Sequence, residues 1–322
     1  MPPAVLVAGE TLIDFLPERP GPLETVSGFE RRPGGAPANV AVGLARLEEP
    51  VSLWTRVGDD PFGHYLTDVL AGHGLPDTYV EIDRTAQTSL AFVTHDESGD
   101  RTFSFYRDGT ADTRMEPGRI DDDTLATTEW VHAGGVALSS GRSRDATLDL
   151  LERAAEQGCT VSFDPNARPE LWRDEDTFER VSRQALEYTD VCKATVEELR
   201  ALGCQGDSLE AVARNALEYG PHTVYLTRGS EGAMVVTNDD AREPDTLVEH
   251  DGYAVDVVDT TGAGDAFVAG LIAALRNGRP LAETLAFAGA VAATTTTETG
   301  AMTALPTRDA VESMLEANDA GD

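Results

Sequence analysis

Short β-branched runs alternate with amphipathic stretches along this chain, and that alternation restricts its fold more than any other feature. "AVLVAGE" (4–10) and "VSLWTRV" (51–57) read as buried strands. "WVHAGG", "CTVSFD", "TDVC" and "HTVYLTRG" follow, the last five separated mostly by segments of helical period. "DATLDLLERAAEQG" (145–158) places Leu148, Leu151 and Ala155 on one face and stops at Gly158, and "SLEAVARNALEYG" stops in the same way at Gly220. Parallel neighbours need long crossovers, so the expected fold is α/β, a mostly parallel sheet with helices on both faces.

Two stretches interrupt the pattern. Residues 10–33 are rich in Pro and Glu without helical period, and "QTSLAFVTHDESGDRTFSFYR" (87–107) reads as a hairpin around an Asp/Glu/Ser/Gly turn. Extra strands with a one-sided apolar pattern suggest a small sheet lying over a cleft. With no internal repeat, no low-complexity linker and no boundary after residue 110, the expected organisation is one unit over 1–322. Its lid would come from about 10–33 and 87–110.

Charge narrows the partners. The 322 residues carry 57 acidic and 25 basic side chains, a net charge of −32, and Lys193 is the sole lysine. Such a surface repels nucleic-acid phosphates and anionic membranes, so neither is expected as a partner. The acid is spread along the chain and hydrophobic content is 41%, which argues against disorder and for a large core. The expectation is a cytoplasmic protein of a high-salt organism, where a short Debye length screens self-repulsion; a merely acidic mesophilic enzyme is the alternative. Cys159, Cys192 and Cys204 lack metal-like spacing and read as reduced core residues. "MPPAVLVAGETLIDF" has no basic leading region, and no long apolar run occurs, so neither export nor a membrane span is expected.

Chemistry concentrates at "DVVDTTGAGDAF" (256–267). "GAGDAFVAGLIAALRNG" sets Phe267, Leu271 and Leu275 at i, i+4 and i+8 and ends at Gly278, a helix whose first turn is Gly262, Ala263 and Gly264. Small residues there leave backbone N–H groups open, and the helix dipole adds to their pull on anions. Asp265 lies beside this cradle. It reads either as a plain acidic residue of a first turn or as a base, kept ionised by the positive helix end, that accepts a hydroxyl proton during phosphoryl transfer. No GxxxxGK[ST] occurs, and no GxGxxG follows the first strand, which weakens a dinucleotide reading.

A second constellation is "RRPGGAPANVAVGLARLE" (31–48). Gly34 and Gly35 permit close backbone approach, Pro37 suits an early helical position, and Val40, Leu44 and Leu47 form a buried stripe. Asn39 then points toward the loop, either as a donor and acceptor for a polyol or in a local turn.

"GGAPANVAVGLARL" and "DTTGAGDAF", in this order and far apart, resemble the two signatures of the ribokinase-like sugar kinases, the PfkB family. The resemblance runs along the whole chain and implies a three-layer α/β/α sandwich with a small β-sheet lid, using ATP and Mg²⁺. It implies Asp265 as catalytic base, Gly262, Ala263 and Gly264 as anion hole, and Asp14, Gly34, Gly35 and Asn39 on the sugar hydroxyls. "TRGSEGA" (227–233) resembles the nucleotide loop, with Thr227, Gly229 and Gly232 near ribose and phosphates. "CKATVEEL" (192–199), which includes Lys193, resembles a nucleotide-side segment where Thr195 and Glu198 would organise Mg²⁺-bound water; the family usually has asparagine at position 195. Asp259 and Thr261 match positions that help bind a monovalent cation in potassium-activated members. "ETGAMTALP" (298–306) resembles the loop beside the adenine.

"GETLIDFLP", "FSFYR" and "DPNARPELW" look most like the fructokinase branch. Phe103 and Phe105 share one face of the expected lid strand, either to close over a sugar or simply to pack. Tyr106, Arg107 and Arg168 could bond hydroxyls, but arginine could equally grip a carboxylate, which keeps 2-keto-3-deoxygluconate kinase as an alternative. Asp14 favours a neutral polyol over an acid sugar. A silent sugar- or nucleotide-binding regulator is the reading from another class, opposed by the intact Asp265 and glycine turn. The resemblance also brings a homodimer paired through the lid.

Overall fold

The computed structural model describes residues 3–19, 21–95 and 101–319. Its strands are β1 (Val5–Ala8), β2 (Leu12–Pro17), β3 (Phe29–Gly34), β4 (Val51–Gly58), β5 (Val80–Asp83), β6 (Leu90–His95), β7 (Arg101–Tyr106), β8 (Trp130–Gly134), β9 (Thr160–Asp164), β10 (Val191–Thr195), β11 (Thr223–Thr227), β12 (Ala233–Thr237) and β13 (Leu247–His250). The helices are α1 (Ala36–Arg46), α2 (Pro61–Gly72), the single turn α3 (Asp122–Leu125), α4 (Gly141–Glu156), α5 (Glu175–Leu186), α6 (Val196–Ala201), α7 (Leu209–Leu217), α8 (Ala263–Arg276), α9 (Leu281–Thr295) and α10 (Arg308–Asp319).

Nine strands form a large sheet in the order β13-β12-β11-β10-β9-β8-β1-β4-β5. From β5 to β11 all neighbours are parallel; β12 is antiparallel to β11, and β13 to β12. Alternation along β1 shows why both faces are covered: Val5 and Val7 pack in a core with α1, α8 and α9, whereas Leu6 and Ala8 pack in a second core with α4, α5 and α7. The α/β sandwich expected from the sequence is therefore present, extended by three strands, β5, β12 and β13, that the sequence reading omits. The five residues of β12 are all buried and show no alternation, and β13 is a short, half-exposed edge.

The buried face of α4 differs from the expected one. Ser143, Ala146, Thr147, Leu150, Leu151 and Ala154 are buried, Leu148 is half-buried, and Ala155 is exposed. The small residues carry the close approach to the sheet, a pattern that the leucines alone do not reveal.

A second, four-stranded sheet has the order β3-β2-β6-β7, with β2 and β6 parallel and the outer pairs antiparallel. Thus the two stretches that break the alternation join in one sheet. The expected Asp/Glu/Ser/Gly turn (96–100) lies outside the described residues. Phe15 stacks on Phe92 at 4.9 Å and meets Phe62 of α2 edge-on at 5.9 Å, anchoring this sheet to the main body. Among the described residues no helix is long and apolar enough to cross a membrane.

Candidate active site

Asp164, Thr195 and Thr227 are the last residues of β9, β10 and β11, so they share the carboxyl edge of the large sheet. In open α/β sheets that edge is where ligands bind. Helices α2, α5, α6 and α7 start at Asp60, Asp174, Thr195 and Ser208, each accepting from the first turn's N–H groups. By contrast, α1 starts at Gly35 and α8 at Gly262, which bring no capping side chain of their own.

Gly262 has φ 77°, a left-handed turn that glycine adopts without cost, and a Cβ there would stand 2.7 Å from the Cβ of Ala301. This turn aims α8 at the cleft. The N–H of Ala263 donates to the carbonyl of Thr260 at 3.3 Å. Among the described residues the N–H groups of Gly262 and Gly264 have no acceptor, so the open part of the expected cradle lies on the two glycines.

Asp265 is half-buried in the same turn and accepts from Asn39 Nδ2 at 2.8 Å. Burial pushes its carboxyl up to about 6, opposed by the Asn39 hydrogen bond. Asp164 raises it further, while Lys193 and Arg168 favour the charge. Its protonation thus departs from the expectation that the helix end alone decides: desolvation outweighs the local positive charge, although a value near 6 still leaves the group ionised above neutrality.

Lys193, the only lysine, is buried and pairs with Asp164 Oδ2 at 3.0 Å. Its Nζ lies 3.3 Å from where a Cβ on Gly264 would project, directly beneath the first turn of α8. Burial opposes its proton, but Asp164 and Glu198 outweigh burial and hold its charge well above the ordinary lysine range. Thr195 and Glu198 form a reciprocal cap. Thr195 Oγ1 accepts from Glu198 N at 3.3 Å, Glu198 Oε2 accepts from Thr195 N at 2.8 Å, and Glu198 Oε1 accepts from Ala167 N at 2.9 Å. Burial and Asp164 raise the Glu198 carboxyl.

The small sheet faces this edge across a cleft of about 330 Å³, whose walls include Asp14, Val93, Phe103, Val258, Asp259 and Thr261. Gly34 lies against Asp14, since a Cβ there would overlap the carboxylate. Gly35 lies against the Glu10 carbonyl. Phe103 and Phe105 stack at 5.7 Å, and the Arg168 guanidinium lies 5.4 Å from the Phe103 ring centre. Asp259 Oδ1 accepts from Thr261 N at 2.9 Å and from Thr261 Oγ1 at 2.5 Å, and Oδ2 accepts from Gly300 N at 2.9 Å.

Other expected residues stand apart. Arg107 is buried and donates to Asp112 Oδ2 at 2.5 Å and to Ser139 Oγ at 2.8 Å, so most of its guanidinium is already engaged. Tyr106 is 63% exposed and packs edge-on against Phe92. Thr227 ends β11, and Gly229 and Gly232 lie in the β11–β12 connection, further along the same edge.

Sequence reasoning missed Asp164 and Glu10. Asp164 pairs with Lys193 and accepts from Asn166 N. Glu10 is buried, accepts from Ala36 N at 3.2 Å, and is pushed up to about 7 by burial. Both signals were present: each is an acidic residue at the carboxyl end of a buried apolar run.

A doubly covered parallel sheet, an uncapped glycine turn at its carboxyl edge and a carboxylate in that turn define a phosphotransferase of the ribokinase-like type. The family model described as pfkB family carbohydrate kinase matches residues 3–308, and the chain belongs to that family. It is 38% identical to the fructokinase of Klebsiella pneumoniae over 318 residues, 97% of this chain and 99% of that protein. Among solved structures it resembles a putative ribokinase II from E. coli in complex with ATP and Mg²⁺, at TM-score 0.87 and 27% identity, covering 97% of this chain and 99% of that one. It also resembles a double mutant of the Vibrio cholerae fructokinase, bound to fructose, ADP and a potassium ion, at TM-score 0.83 and 32% identity, with 97% of each chain covered.

Proposed function

We propose that this protein is an ATP-dependent fructokinase that converts fructose to fructose 6-phosphate. The observation that carries the proposal is Asp265 beside the open N–H groups of Gly262 and Gly264. Asp265 accepts the proton of the sugar's primary hydroxyl as that oxygen attacks the γ-phosphorus, and ADP leaves with the electrons of the broken P–O bond. The glycine N–H groups hold the charge on the transferring phosphoryl, with the Lys193 ammonium beneath them. Asp14, Gly34, Gly35 and Asn39 hold the sugar, with Phe105 and Arg168 around it; Arg107, expected there, is instead engaged by Asp112 and Ser139. Thr227, Gly229 and Gly232 hold the nucleotide.

Mg²⁺ would organise the phosphates near Glu198 and Thr195, and a potassium ion would sit near Asp259 and Thr261. Their all-oxygen donor sets suit hard cations. The chain acts as one kinase unit whose small sheet, from about 10–33 and 87–110, closes over the sugar and excludes water. The cytoplasm of a high-salt organism and a homodimer paired through the small sheet belong to the same reading. Relatives named fructokinases support the choice of sugar.

The test is ATP-dependent phosphorylation in molar KCl of fructose, 2-keto-3-deoxygluconate, ribose and adenosine, with Asp265→Asn beside the wild type. Fructose turnover that collapses in the variant is expected. Preference for the keto-acid would move the substrate and keep the mechanism, with Arg168 as the anchor. Binding without turnover of any sugar would overturn the enzymatic reading.

A further inference from the structure

Helices α1 and α8 both begin at the cleft, and their contact has a register. Asn39 and Gly43 are one helical turn apart on α1, and Asp265 and Ala269 are one turn apart on α8, so each pair shares a face. Asn39 meets Asp265 at 2.8 Å. One turn along, a Cβ on Gly43 would stand 2.7 Å from the Cβ of Ala269, closer than two methyl groups can approach. The absent side chain at position 43 thus lets the two axes lie close enough for the short Asn39 side chain to span the gap.

Asn39 is 5% exposed, and its Oδ1 has no partner among the described residues. An ionised carboxylate only accepts, so the amide must turn Nδ2 toward Asp265, which leaves Oδ1 facing elsewhere. A hydrogen bond donated to a carboxylate fixes its orientation and favours its charged form.

We infer that Asn39 is a positioning residue for Asp265, and that the Gly43–Ala269 contact sets the distance at which it acts. The inference rests on the reading of Asp265 as the base. Asn39 holds the carboxylate in one orientation and favours its ionised form against the burial that opposes it. The remaining charged groups around Asp265 are Asp164 at the end of β9, Arg168 in the turn that follows, and Lys193 on β10. None of these lies on α1, so a change confined to the α1–α8 contact leaves them in place.

The experiment compares the pH dependence of kcat/KM for fructose from pH 5 to 9 in the wild type, Asn39→Ala, Gly43→Ala and the double variant Gly43→Ala/Ala269→Gly. Asn39→Ala should move the acidic limb upward by about one pH unit, the size of one hydrogen bond to a charged group. Gly43→Ala touches no substrate, yet it should move the limb in the same direction with KM for ATP unchanged, and removing the Ala269 methyl should restore the wild-type profile. A limb that stays in place in Asn39→Ala while Asp265→Asn is inactive overturns the inference alone. So does a Gly43→Ala shift that Ala269→Gly does not reverse. If Gly43→Ala fails to fold, the Asn39→Ala profile decides by itself. Full activity in Asp265→Asn would instead remove the base reading on which the inference stands.

Discussion

At the scale of single residues, the base reading and burial oppose each other at Asp265. A carboxyl whose value rises from 3.8 to about 6 on folding binds its proton more tightly in the folded chain than in the unfolded one. Between those two values stability therefore falls as pH rises, and above about pH 6 the full cost of an ionised Asp265 remains. Asp265→Asn keeps the shape and the Asn39 contact while removing the charge. It should lower kcat by roughly 10²–10⁴-fold, and above pH 7 it should stabilise the fold by on the order of 1–3 kcal/mol. Denaturant unfolding at pH 7.5 and at pH 5 measures the second effect: the gain should shrink at the lower pH. A variant that is both inactive and less stable at pH 7.5 would mean that Asp265 is held for packing. The residue and its glycine turn were legible in the sequence because cradle and carboxylate are neighbours in the chain. The protonation was not, because Asn39, Asp164 and Lys193 reach it from three other elements.

At the scale of elements, regular periodicity was legible where one face is apolar and bulky, and it failed where small residues make the contact. The stripe of Val40, Leu44 and Leu47 is buried as the sequence implies. That of α4 runs instead through Ala146, Leu150 and Ala154, which a count of leucines passes over. The Thr195–Glu198 reciprocal cap shows the same limit. The family resemblance implied it as a metal-side motif, while the local structure first uses both side chains to start α6. Likewise, β2 and β3 meet because Leu12 pairs with Gly34, and that register sets the Gly34 backbone against Asp14. Gly34→Ala would force the Asp14 carboxylate aside without altering α8 or the β11–β12 connection. KM for fructose should rise at least tenfold, equivalent to about 1.4 kcal/mol of lost binding, with KM for ATP unchanged. Initial-rate kinetics with each substrate varied in turn would reveal it. Equal losses for both substrates would instead indicate a general disturbance of the edge.

For the whole molecule, the decisive quantity is the net charge of −32 and where its counter-charges lie. Some pairs are sheltered. Glu49 is buried and accepts from Arg276 of α8 and Arg308 of α10, joining two helices that are distant in sequence, and Asp164 holds Lys193 beneath the cleft. Exposed pairs such as Arg142–Glu116 contribute little and are screened by salt. With 57 acidic against 25 basic side chains, most of the acid has no basic charge to balance it, and mutual repulsion opposes the compact state. Raising ionic strength from 0.1 to 1 M shortens the screening length from about 10 Å to about 3 Å, which removes that repulsion while sparing the buried pairs. The midpoint of thermal unfolding should then climb steadily with KCl up to molar concentrations, and NaCl should match KCl in the absence of sugar and nucleotide. Sucrose strengthens apolar burial without screening charge, so at equal osmolality it should give a clearly smaller rise. A sucrose response as large as that of KCl would assign the effect to burial, and a midpoint indifferent to salt would overturn the proposed high-salt setting while leaving the kinase site as described.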